Sequence, residues 1–183
     1  MVMILRHLLA VAVLPFTVAV LVPAWIARAN GVTLRLEPSA GPVLLQAAGV
    51  ALLGLGLALF VASLWRFAAD GKGTLAPWDP PPLFVVQGPY RFVRNPMISG
   101  VILVLFGEAL VLRSQPNAIW ATCFAALNLA YIPLVEEPQL ERRFGGSYRD
   151  YRRNVRRFIP RLRPWQPAGG PRAPAAPSDR GRP

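Results

Sequence analysis

The chain has 183 residues, 54% of them hydrophobic and 16% charged, with a formal net charge of +11. That is too apolar for an ordinary soluble domain and too short for more than one compact unit. With one cysteine (Cys123) and one histidine (His7), an internal disulfide framework is excluded, and no protein-built metal site is expected.

Met1 to His7 is a short basic start, and Leu8 to Ala27 is apolar throughout, about the ~20 residues a bilayer span requires. Pro15 and Pro23 are tolerable there because neighbouring helices re-satisfy the freed carbonyls. Ala27-Arg28-Ala29 also resembles a signal-peptide cleavage site, but the apolar run is long for a signal core, which favours a retained helix. After a polar loop, Pro42 to Trp65 reads as a second span. Its Ala47, Ala51, Gly54, Ala58 and Ala62 recur at helical spacing and predict a packed interface. Arg66 to Gln87 leaves the membrane, since Gly71, Gly73 and Asp79-Pro80-Pro81-Pro82 preclude a long helix.

Gly88 to Gly100, GPYRFVRNPMISG, is the densest stretch of the chain. Gly88-Pro89 signals a turn, Pro96 biases Asn95 toward an extended conformation, and Pro96 itself suits the first position of a helix. Free N–H groups at that helix start, with Arg91 and Arg94, would receive an anion. The bland alternative is a topology signal alone, arginines at the mouth of a membrane helix. Met97 to Leu112 is the third span, with Gly100 and Gly107 on one face and Glu108 within the apolar run. An intramembrane carboxyl points either to function or to a position near the far interface. Arg113 to Asn117 is a tight turn in which Pro116 stops the third helix, and Ala118 to Val135 is the fourth span. The resulting antiparallel hairpin returns Glu136-Glu137 to the face of Arg94-Asn95.

Pro138 to Phe144 reads as a short helix stopped by Gly145-Gly146, and Ser147 with Asp150 as a capping box opening another. On that last helix Tyr148, Tyr151 and Val155 oppose several arginines, so it should lie on the membrane with its arginines at anionic headgroups. Nucleic acid is the other reading of so basic a chain, but arginine beside a bilayer needs no further partner. Residues 1–163 are expected to form one domain and 164–183 a disordered Pro-, Gly- and Ala-rich tail. Loop arginines place both termini and the motif loop in the cytoplasm by the positive-inside rule, with Trp25, Trp65 and Trp120 as interfacial anchors. The use of arginine for every basic residue but Lys72 fits a GC-rich bacterial genome, hence an inner membrane.

The Gly88–Gly100 string resembles the RHPxYxG signature of the isoprenylcysteine carboxyl methyltransferase and phospholipid methyltransferase superfamily. An apolar hairpin, the paired glutamates and FGGSYRDYRRNVRRFIPR then follow in the family's order, so the resemblance covers roughly residues 75 to 162. It implies an all-α polytopic membrane protein of about four transmembrane helices plus a C-terminal cytoplasmic amphipathic helix. It also implies transfer of a methyl group from S-adenosylmethionine to a lipophilic acceptor, a lipid or isoprenoid carboxylate, hydroxyl or amine. The cofactor pocket then falls on Leu83, Phe84, Val85, Tyr90, Asn95, Pro96, Met97, Ile98 and Glu136, with Arg94 and Gly100 of the same stretch. Paired carboxylates suit the cofactor's amine or ribose, and Arg94 and a helix N-terminus suit its carboxylate. Glu137 is the expected base where the acceptor is a protonated amine, with Glu108 as a second candidate. Asn95 stands where the family has histidine and Ile98 where it has tyrosine. No arginine occurs in Tyr131 to Val135, which argues against a prenylcysteine carboxylate substrate. The rival functions are a nicotinamide-dependent reductase of the related sterol-reductase branch and a non-catalytic membrane protein whose basic tail binds lipid.

Overall fold

Four glycines bring the backbones of two helices into contact. The computed structural model describes residues 12–35, 39–71 and 86–166. A π-helical stretch, Ala12–Leu21, continues as α1 (Val22–Ala29), and α2 (Ala40–Gly71) follows. A 3-10 turn (Gly88–Arg91) leads into α3 (Pro96–Leu112) and α4 (Gln115–Tyr131). The chain then passes through a π-helical turn (Ile132–Glu136) into α5 (Glu137–Phe144) and α6 (Gly146–Asn154). No strand occurs among the described residues.

The long helices α2 and α3 run antiparallel, with Gly49 facing Gly107 and Gly56 facing Gly100. A Cβ on Gly56 would lie 2.7 Å from the Gly100 carbonyl oxygen, and one on Gly107 would lie 2.8 Å from that of Gly49. Only glycine permits this approach. Gln46 Nε2 ties the pair further by donating to the Val111 carbonyl at 3.1 Å. The expected interface of Ala47, Ala51, Gly54, Ala58 and Ala62 is corrected here. Those residues are exposed, and a Cβ on Gly54 would meet nothing within 4 Å. Gly49 and Gly56 sit two residues beyond Ala47 and Gly54, about 200° around a helix of 100° per residue, on the opposite face.

The α3–α4 turn is tighter than expected. Arg113 ends α3 at φ +50°, and Ser114 caps α4 by accepting from the Asn117 N–H at 3.3 Å. Pro116 therefore lies in the first turn of α4, where its missing N–H is harmless, and does not stop α3. Asn117 donates to the Pro23 carbonyl at 3.3 Å, and the Trp120 indole to the Val18 carbonyl at 3.2 Å. Trp120 thus serves the packing of the N-terminal helix, whereas Trp25 and Trp65 are exposed. Val101, Leu105 and Ala121 form the buried core between these elements.

Gln115 to Phe144 is one continuous helical run of 30 residues, so no break separates the fourth apolar segment from the helix after the glutamates. Pro133 and Pro138 lie inside this run at the two edges of its π-helical turn, where the regular hydrogen-bond ladder is already interrupted. Ala40–Arg66 and Gln115–Phe144 are each long and apolar enough to cross a membrane, and Pro15–Ala29 and Pro96–Leu112 are shorter apolar helices. Large apolar side chains such as Leu44, Leu55, Leu127 and Leu134 point outward, as lipid-facing residues do.

Two expectations for the C-terminal helix are revised. Gly145, at φ +56°, precedes α6 without a side-chain cap, and Ser147 lies inside the helix, so no capping box forms. The apolar face of α6 closes onto the protein and is not available to a bilayer. Tyr148, Tyr151 and Val155 are buried against Val86, Leu140, Phe144 and Trp165.

Candidate functional site

Sequence chemistry dictates the entry into α3. Gly88 takes φ +54°, Pro89 opens the 3-10 turn, and the Phe92 and Val93 N–H groups return to the Pro89 carbonyl. Asn95 is the N-cap residue of α3, with φ −121° and ψ 60°, and its side chain makes no capping bond. Its carbonyl accepts from the Ser99 N–H at 3.0 Å and the Ser99 hydroxyl at 2.8 Å. Pro96 is buried, while Asn95, Met97 and Ile98 remain half-exposed. Gly100 is taken up in the contact with Gly56. Leu83, Phe84 and Val85 lie outside the described residues.

A strap from the C-terminal segment fixes this entry, a relationship that the sequence pattern did not reveal. The Arg94 and Asn95 N–H groups donate to the Arg156 and Arg157 carbonyls at 2.9 and 3.2 Å. In return, the Arg161 and Trp165 N–H groups donate to the Phe92 and Arg91 carbonyls, both at 2.9 Å. Arg91 Nε closes the set on the Trp165 carbonyl at 2.9 Å. The strap reaches Trp165, and the tail from 167 onward lies outside the described residues. From beneath, the Tyr151 hydroxyl donates to the Tyr90 carbonyl at 2.6 Å.

The two glutamates occupy different surroundings although they are neighbours in sequence. Glu137 is 2% exposed and receives a forked pair from Arg157, Nε to Oε1 at 2.7 Å and Nη2 to Oε2 at 3.0 Å. Arg94 Nη1 lies 2.8 Å from the same Oε1, and Arg152 Nε 3.6 Å from Oε2. The hydrogen bond to Glu137 raises the Arg157 pKa above its ordinary value. A carboxylate committed to three guanidiniums is a poor proton acceptor, so the base expected at Glu137 meets a group already engaged. Glu136 is half-buried and lies within electrostatic reach of the Tyr90 phenol. Burial, and then the Glu136 charge, push that phenol above its ordinary range and keep it a neutral donor. Burial and the Glu137 charge likewise push the Tyr148 hydroxyl up to about 12, against the pull of Arg94.

Tyr90, Arg94, Asn95, Glu136 and Glu137 therefore gather at the end of the bundle where α3 begins and the 30-residue helix reaches its π-helical turn. Glu108 lies farther along α3, with a buried Oε2 that has no hydrogen-bond partner among the described residues. The half-buried carboxylate is an acceptor, and the neutral phenol and the helix N-terminus offer donors beside it. Among the described residues no three His, Cys, Asp or Glu side chains cluster as metal ligands.

Methanethiol S-methyltransferase 2 of Bradyrhizobium diazoefficiens is 36% identical over 84 residues, covering 40% of this chain and 27% of that protein. Phosphatidylethanolamine N-methyltransferase of Phaeosphaeria nodorum is 30% identical over 128 residues, covering 62% of this chain and 14% of the relative. The enzyme of the same name from Arthroderma benhamiae is 27% identical over 118 residues, 58% of this chain and 12% of the relative. The chain thus spans about a quarter or less of the length of these curated relatives. No solved structure matches. The sequence profile described as phospholipid methyltransferase matches residues 44–147, more than half of the chain and the segment that carries both the α3 entry and the two glutamates. On that evidence the chain belongs to the phospholipid methyltransferase family.

Proposed function

We propose that this protein is an integral membrane methyltransferase that uses S-adenosylmethionine and acts on a lipophilic acceptor entering from the bilayer. The observation that carries the reading is the difference in surroundings between the two glutamates. Glu137 is locked by arginines, while Glu136 stays half-exposed beside Tyr90 at the α3 entry. In this reading Glu136 holds the cofactor's ammonium, and the α3 N-terminus with Asn95 receives its carboxylate. Pro96, Met97 and Ile98 form the adjoining wall. Arg94 and Glu137 act as positioning residues that hold Asn95 in place.

When bound, S-adenosylmethionine would supply an already activated methyl carbon, so the protein's contribution is alignment and exclusion of water. The relatives' names include a thiol and an amine acceptor, both nucleophiles that need at most the loss of one proton. In this reading the helical passes at 12–29, 40–71, 96–112 and 115–144 are four crossings, and the loop arginines favour a cytoplasmic site. Titration calorimetry of the detergent-purified protein against S-adenosylmethionine, S-adenosylhomocysteine and NADPH tests the reading. Binding of the first two and not the third is expected. Binding of NADPH alone would favour the reductase, and binding of none a non-catalytic protein.

A further inference from the structure

Beside the strap lies a groove of about 440 Å³ whose polar lining includes Arg94, Arg152, Arg153, Arg156 and Arg157, with Ile159 at its apolar edge. Three of these arginines are shared with Glu137, and Arg152 also reaches Glu141 at 3.2 Å. Arg153 and Arg156 are exposed and belong to none of those pairs. Arg94 is nine-tenths buried, and its buried Nε has no hydrogen-bond partner among the described residues. A buried guanidinium N–H without an acceptor is costly, and a ligand oxygen in the groove would relieve it. Several convergent guanidiniums form the donor set that recognises a phosphate.

The surroundings identify the source of that phosphate. The apolar face of α6 is buried, so α6 does not supply the membrane contact. Immediately after it, Ile159 is 61% and Leu162 101% exposed, in a segment carrying Arg156, Arg157, Arg161 and Arg163. Large apolar side chains presented among arginines, at the end of membrane-length helices, fit a headgroup boundary better than water. We infer that this groove binds the phosphate of an anionic membrane phospholipid, with Ile159 and Leu162 entering the acyl region beside it. The inference goes beyond the methyl-transfer reading and does not require it, because neither Glu136 nor Tyr90 lines the groove.

The test uses the full chain in detergent, titrated with dihexanoyl-phosphatidylglycerol, dihexanoyl-phosphatidylcholine and inorganic phosphate, and read by native mass spectrometry and thermal shift. Phosphatidylglycerol should bind saturably and more tightly than either of the others. The double variant R153Q/R156Q should weaken it by about tenfold or more, from the loss of two charge-assisted contacts. R142Q/R143Q removes the same charge from exposed positions of α5 outside the groove and should change affinity by less than about twofold. I159S/L162S should lower phosphatidylglycerol affinity toward that of inorganic phosphate. Equal losses in the two arginine doubles would mean diffuse attraction and overturn the site. Phosphate binding as tightly as the lipid would make it a soluble-anion site and overturn the lipid assignment. S-adenosylmethionine affinity measured on the same variants keeps this outcome separate from that of the proposed activity.

Discussion

Arg157 grips Glu137 through both nitrogens of its fork, at 2.7 and 3.0 Å, and so fastens the C-terminal strap to a 30-residue helix just past its π-helical turn. The same strap residue accepts the Asn95 N–H through its carbonyl. One arginine therefore links Glu137 to Asn95, the N-cap residue of α3. Because Glu137 is 2% exposed and Arg94 10%, the pair is screened little by solvent.

Glu137→Gln should therefore act mainly on stability. It leaves Arg94 buried opposite a neutral amide, a loss of the kind that costs ~3–5 kcal/mol when one partner of a buried pair is removed. The check is thermal unfolding in detergent alongside S-adenosylmethionine titration. A variant of unchanged stability that had lost the cofactor would make Glu137 a ligand and contradict its positioning role.

Glycine substitutions on α2 should separate by face. Gly56→Ala forces a Cβ to within 2.7 Å of the Gly100 carbonyl oxygen, and overpacking of this kind costs ~1–3 kcal/mol. Gly54→Ala adds a Cβ into open space and should be neutral, or stabilising by ~0.5–1 kcal/mol through helix propensity. Melting temperatures of the two variants give the comparison. Equal destabilisation would mean that α2 packs on a different face.

These two outcomes reflect what the sequence could and could not carry. Asn95-Pro96 announces the start of α3, and the Gly100/Gly107 spacing marks a close face, because both are local properties of the chain. Which face of α2 answers that one depends on the partner helix, and an alanine stripe is as regular on a lipid-facing side. The hairpin made it legible that Glu136 and Glu137 return to the α3 entry. Their different surroundings were not, because adjacent helical residues point about 100° apart and Arg157, which holds Glu137 alone, comes from the strap. The strap has no periodicity of its own. Four of its bonds run from backbone to backbone between 91–95 and 156–165, and no side-chain pattern encodes those.

Glu136→Gln should leave folding intact and weaken cofactor binding. Glu136 stands outside the ion pairs that hold Glu137. Losing one partner of a desolvated charge contact costs ~2–5 kcal/mol, more than tenfold in affinity. Calorimetry on a variant with wild-type melting decides the matter. Unchanged affinity would remove Glu136 from the pocket.

Asn95 tests whether the pocket works with its altered residue. Its backbone is fixed on both sides, with the N–H on the Arg157 carbonyl and the carbonyl on Ser99, so substitutions there change chemistry more than position. Its side chain is half-exposed and makes no capping bond, which leaves it available to a ligand. Asn95→His keeps a donor and an acceptor at similar reach and should retain or strengthen S-adenosylmethionine binding. Asn95→Leu leaves a polar ligand atom without a partner and should weaken binding by ~1–3 kcal/mol. Both variants should melt with the wild type, since the helix start at Pro96 does not depend on the Asn95 side chain. Titration of the three proteins with S-adenosylmethionine separates the cases. Equal, undetectable binding in all three would mean that Asn95 and Ile98 mark a site that no longer takes the cofactor, and the proposed activity would fall with it.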